Sequence, residues 1–118
     1  MPSPLSSPQL RLNLSEGSVS FSFSPDAATN LKQAIDTLMN RLKVNATQTG
    51  GKPQPQEPME YRYTGEVFLE IFCNPNIWSS PFAAKVLITL RDERIRLNTE
   101  AELTRLIEDV NQFLEQYG

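Results

Sequence analysis

The stretch Met59–Cys73, MEYRYTGEVFLEIFC, decides the fold. Its odd positions are Tyr61, Tyr63, Gly65, Val67, Leu69, Ile71 and Cys73. Its even positions are mainly charged, Glu60, Arg62, Glu66 and Glu70, interrupted by Phe68 and Phe72. Successive side chains of an extended chain point to opposite faces, so this two-residue period buries the odd set and wets the even one. Parity is unbroken across Thr64-Gly65, which favours one long strand with a bend at Gly65 over a tight hairpin. Asn74-Pro75-Asn76 ends it with turn chemistry.

Toward the C-terminus, the irregular segment Ile77-Trp78-Ser79-Ser80-Pro81-Phe82 leads into a hairpin. Val86, Ile88 and Leu90 alternate, Arg91–Arg94 turns, and Ile95 and Leu97 return. Thr99 and Glu102 have the spacing of a capping box. Leu103, Leu106, Ile107, Val110, Phe113, Leu114 and Tyr117 then recur at helical intervals.

Toward the N-terminus, Asn45–Pro58 holds two adjacent glycines and three prolines and reads as a flexible loop or tether. Before it, Ala28, Leu31, Ile35, Leu38, Met39 and Leu42 form one apolar stripe of a helix of about five turns. That helix opens on Ser24-Pro25-Asp26, which supplies a cap, a first-turn proline and a favourable dipole charge. Leu10, Leu12 and Leu14, then Val19, Phe21 and Phe23, alternate around Ser15–Ser18 as a hairpin. Residues 1–8 read as a flexible, proline-rich lead-in.

The expected architecture is α+β. One antiparallel sheet of about five strands, in the order ββαβββα, carries two amphipathic helices on one face. Residues 9–118 form a single domain, with the loop at 45–58. The two hairpin–helix units resemble each other faintly, as shared physics alone can produce.

Composition limits the chemistry. The 118 residues include no histidine and one cysteine, with 11 Lys and Arg against 14 Asp and Glu for a net charge of −3. Histidine-based triads, imidazole acid–base pairs and His-ligated zinc or haem are therefore excluded within this chain. An intrachain disulfide is equally excluded, which suits a reducing compartment. Met1–Pro8 lacks the basic and apolar regions of a secretory signal, and no run approaches the length of a membrane span. A soluble, cytoplasmic protein is expected.

No catalytic, cofactor or metal residues emerge. The acidic pairs Asp92/Glu93, Glu100/Glu102 and Glu108/Asp109 fall in turns or on wet helix faces, where nothing desolvates them. Cys73 has Phe72 and Asn74 beside it and no cation to stabilise a thiolate. Gly50-Gly51-Lys52 is followed by Pro53 and lies in a tether, unlike a phosphate-binding loop.

Two binding readings remain. Phe68 and Phe72 project from the face opposite the helices, and Ile77, Trp78 and Phe82 follow at once. These five side chains suit a partner-binding patch with a charged rim. They also suit a small second core, with Trp78 and Phe82 folded over Phe68 and Phe72. The patch implies a non-catalytic interaction or assembly factor that binds another protein or a second copy of itself. The alternative is a single-stranded nucleic-acid binder using Tyr61, Arg62, Tyr63, Arg91, Arg94 and Arg96 as a basic, aromatic platform. Acidic residues interleave with those arginines, and residues 59–118 hold six basic and ten acidic side chains, which weighs against that alternative.

The stretch Lys85–Gln116, with its arginine-rich hairpin and the helix beginning Asn98-Thr99-Glu100-Ala101-Glu102-Leu103, resembles small soluble proteins of cyanobacteria and plastids that have no assigned activity. The resemblance implies a non-enzymatic accessory role in such cells and carries over no functional residue.

Overall fold

A computed structural model of the chain describes residues 8–47 and 55–118. Residues 1–7 of the expected lead-in and 48–54 of the expected loop lie outside the described residues. Among the described residues the fold is α+β, with two α-helices and two antiparallel sheets.

Strands β1 (Gln9–Asn13) and β2 (Ser18–Ser22) form the first hairpin, with Leu10 opposite Phe21 and Leu12 opposite Val19. Gly17 turns it at φ +80°, a conformation that a Cβ would strain. Helix α1 (Pro25–Thr47) follows. The Ser24 hydroxyl accepts a 3.0 Å hydrogen bond from the Ala27 N–H, the expected cap. Ala28, Leu31, Ile35, Leu38 and Leu42 are buried and Met39 half-buried, so the stripe is as read. The helix runs 23 residues, more than six turns, and takes Asn45–Thr47 from the expected loop.

The expected single long strand is instead a hairpin. Strands β3 (Met59–Thr64) and β4 (Phe68–Cys73) pair antiparallel, from Met59 opposite Cys73 to Thr64 opposite Phe68. The three residues Gly65–Val67 make the turn, with the Gly65 N–H donating to the Val67 carbonyl at 3.0 Å. A turn of this length pairs odd residues with odd ones, so reversing the chain leaves the buried parity untouched. Unbroken parity is therefore no argument against a hairpin. A Cβ on Gly65 would collide with the Tyr63 ring, which folds over the turn.

A 3-10 turn (Pro75–Ile77) leads toward β5 (Lys85–Arg91) and β6 (Arg96–Glu102), which complete a four-stranded meander in the order β3-β4-β5-β6. The expected sheet of five strands is thus replaced by six strands in two sheets, two and four. Alternation dictates which face of a strand is buried and leaves open which edges pair. The first hairpin contributes its apolar face to the core without joining the meander's ladder; one backbone bond, Ser15 N–H to the Glu100 carbonyl at 3.1 Å, ties its turn to β6.

The capping box does not form. Thr99 and Glu102 lie in β6, and helix α2 (Leu103–Tyr117) starts behind them without a side-chain cap. Strand pairing wins because Ala101 faces inward, opposite Val86, and is buried. The Leu103 N–H is satisfied by the Ala84 carbonyl at 3.0 Å instead. Ile95, expected to return inward, sits in the β5–β6 turn and is 63% exposed.

One hydrophobic cluster joins the layers: Leu10, Phe21 and Phe23 from the first hairpin, Leu31 and Leu38 from α1, Leu69, Ile71 and Ile88 from the meander, and Leu106, Val110 and Phe113 from α2. Phe23 is the hinge of this packing, with its ring edge-on to Phe21, Tyr63 and Phe113 at 5.8, 4.7 and 5.8 Å. Helices and first hairpin share this cluster with the meander's inner face, and its outer face is left to solvent.

Candidate interaction surface

The register arranges the outer face as three rows, each crossing four strands. Glu60, Phe72, Leu87 and Glu100 form one end row; Arg62, Glu70, Thr89 and Asn98 the middle; Thr64, Phe68, Arg91 and Arg96 the other end. Directly opposed side chains in such rows are within contact of one another.

The first row holds an apolar cluster at the base of the sheet. Phe72, Ile77, Trp78 and Leu87 surround a crevice of about 100 Å³, rimmed by Lys85 and Glu100, which approach each other to 3.6 Å. Ile77 is 68% and Leu87 55% exposed. Trp78 is half-buried and packs back on the core. The Asn74 side chain accepts from the Asn76 N–H at 3.0 Å and holds the 3-10 turn that presents Ile77. Asn76 in turn accepts from the Gln56 N–H at 2.8 Å, bracing the same turn against the approach to β3.

The middle row is polar. Arg62 Nε donates to Glu70 Oε2 at 2.7 Å, and Thr89 Oγ1 to Asn98 Oδ1 at 3.1 Å. This row separates Phe68 from Phe72. In the far row the Arg91 guanidinium lies over the Phe68 ring, 4.4 Å from its centroid.

The five side chains read as one patch are therefore divided. Phe72, Ile77 and Trp78 come together; Phe68 stands beyond the polar middle row, beneath Arg91. Phe82 is 83% exposed, so it does not fold over the sheet to seal a second core. Leu87 is the member that sequence reading missed. Its signal was a leucine at the wet parity of β5, between Lys85 and Thr89.

The basic, aromatic platform is not assembled. Tyr61 is buried and its hydroxyl donates to the Ala27 carbonyl at 3.1 Å. Burial, and then the neighbouring Tyr63, push its pKa up to about 12. Tyr63 packs against Phe23 on the inner side. Arg62, Arg91 and Arg96 lie on the outer face, and Arg94 in the β5–β6 turn. The two tyrosines thus lie on the face opposite Arg62, Arg91 and Arg96.

Other ionisable groups are similarly occupied. Burial raises the Cys73 thiol to about 11, against a smaller lowering by Trp78, so the thiol stays protonated near neutrality. Backbone N–H groups of Arg94 and Ile95 donate to Asp92 Oδ1 at 2.7 and 2.9 Å and lower its pKa. Asp109, read as part of a wet pair, is buried. It occupies a stripe position of α2, three residues after Leu106 and four before Phe113, which was the sign of its burial. Among the described residues no cluster of three or more His, Cys, Asp or Glu is placed to hold a metal ion. No helix among them is long and apolar enough to cross a membrane.

A second concavity, about 300 Å³, lies between the helices, with a floor of Ile35, Met39, Ile107 and Val110. The Lys32 ammonium at its edge donates to Asn111 Oδ1 at 2.9 Å, tying α1 to α2.

Comparison of the chain with protein-family models, with curated proteins and with solved structures finds no match.

Proposed function

We propose that this protein is a non-catalytic interaction or assembly factor that binds a protein partner through the outer face of the meander and the 77–82 segment. The observation that carries this reading is the gathering of Phe72, Ile77, Trp78 and Leu87 around one crevice at the solvent-facing base of the sheet. Exposed apolar side chains ringed by charges are the usual composition of a docking patch. Support for a non-catalytic role comes from the protonated, buried Cys73 and from the solvent exposure of Asp92, Glu93 and Glu108.

Affinity capture from the native cell tests it, using the wild type beside a Phe72→Ser/Leu87→Ser variant of unchanged circular dichroism. A specific partner retained by the wild type and lost by the variant is the expected result. Equal capture by both removes the outer face from consideration.

A further inference from the structure

We infer that the occupant of the outer face is a second copy of this chain, stacked sheet on sheet about a twofold axis that lies along the middle row. This rests on the interaction reading above and names its partner.

The two end rows of the face are complementary to each other. One end row ends in two carboxylates, Glu60 and Glu100; the opposite end row carries two guanidiniums, Arg91 and Arg96. The middle row is neutral, with Arg62 and Glu70 already paired at 2.7 Å. A twofold axis in the plane of the interface and perpendicular to the strands exchanges the ends of every strand and keeps each strand over itself. It therefore lays the Glu60–Glu100 row of one copy on the Thr64–Arg96 row of the other. Glu100 then meets Arg96, and Phe72 meets Phe68. Leu87 meets Arg91, whose guanidinium already lies over the Phe68 ring. Lys85, just beyond the first row, comes to the Asp92–Glu93 turn.

Each of these contacts occurs twice in the dimer, as an isologous interface requires. Packed sheets are offset by about 30° through their twist, which shifts the rows without exchanging their ends. No unrelated partner is needed to explain why one end row carries two carboxylates, the opposite end row two guanidiniums, and each a phenylalanine. The face is about 20 Å on a side. That is less than the roughly 800 Å² per partner of a standard interface, so the dimer is weak and reversible. On the axis itself Arg62 faces the Arg62 of the second copy, and Glu70 its Glu70. Each is paired within its own sheet at 2.7 Å, but the like charges and their removal from water oppose the dimer and weaken it further.

Sedimentation equilibrium of the full chain, from micromolar to millimolar concentration, tests the inference through a charge-swap mixture. Arg96→Glu alone and Glu100→Arg alone each place like charges opposite twice per dimer, and each is expected to weaken dimerisation at least about tenfold. Mixed in equal amounts, the two variants restore both attractive contacts, and a heterodimer near wild-type affinity is expected. Circular dichroism and urea midpoints confirm that both variants fold. A wild type that stays monomeric, or a mixture no tighter than its components, overturns the inference. If a monomeric wild type still captures a different protein through Phe72 and Leu87, the interaction reading survives with another partner. A dimer indifferent to Arg96, Glu100, Phe72 and Leu87 alike removes both.

Discussion

Asn13 places two donors on one buried carboxylate. Its backbone N–H reaches Asp109 Oδ2 and its side-chain amide reaches Asp109 Oδ1, both at 2.8 Å. The carboxylate belongs to α2 and the asparagine to the last position of β1, 96 residues earlier. A buried charge is tolerable only when its lone pairs are met, and here both oxygens are. The contact fastens the first hairpin, which has no ladder bonds to the meander's strands, onto the second helix.

Removing the carboxylate should therefore loosen that hairpin. Asp109→Ala leaves the Asn13 donors without their acceptor and is expected to cost about 2–3 kcal/mol in urea unfolding. Asn13→Ala keeps the backbone bond and should cost less. A loss below about 0.5 kcal/mol for Asp109→Ala would mean that water replaces the carboxylate freely and the clamp is dispensable.

High pH should destabilise the fold through Tyr61 and Cys73. Their pKa values rise from 10.0 to about 12 and from 9.0 to about 11, so the folded state holds both protons more tightly than the unfolded chain. That stability is fully present below pH 9 and is lost as pH climbs through 11 and then 12. Urea midpoints measured from pH 8 to 11 should fall, and a Tyr61→Phe/Cys73→Ala variant should show a flatter decline. Tyr61→Phe also removes the bond to the Ala27 carbonyl, at a cost of about 1 kcal/mol at neutral pH. An unchanged slope in the double variant would place the titrating groups elsewhere.

The faces of this fold were legible because burial leaves a period in the sequence. Tyr61, Leu69, Ile71 and Cys73 are buried as their parity required, and Leu31, Ile35 and Leu38 as their helical spacing required. Pairing left no such trace. The turn at Gly65–Val67 preserves parity, so the same letters describe a long ribbon or two paired strands. The β6 residues Asn98–Glu102 have the spelling of a helix cap and become strand because β5 offers a ladder and Ala101 an inward methyl group. Phe72, Ile77 and Trp78 were legible as a local cluster. Leu87, brought beside Phe72 by a register no local pattern encodes, was not.

Gly65 gives a direct check on that hairpin. A methyl group there meets the Tyr63 ring at its hydroxyl end, so the ring must swing off its 4.7 Å edge contact with Phe23. Gly65→Ala is expected to cost about 1 kcal/mol, within the range of an aromatic pair contact. In a Tyr63→Leu background the penalty should largely vanish, since the colliding ring is gone. A penalty that persists would locate the strain in the backbone of the turn.

The apolar cluster at the base of the sheet should contribute little to folding, which is what separates a docking patch from a core. Leu87 projects outward at 55% exposure, whereas its neighbour Ile88 projects inward at 1%. Ile88→Ala empties a packed site and is expected to cost about 2–5 kcal/mol. Leu87→Ser changes a side chain already in water and should stay within about 0.5 kcal/mol. Monomer unfolding at low micromolar concentration, where a weak dimer is dissociated, measures both. If Leu87→Ser costs as much as Ile88→Ala, the crevice around Phe72 and Trp78 is a structural core in its own right, and the surface it was assigned to does not exist.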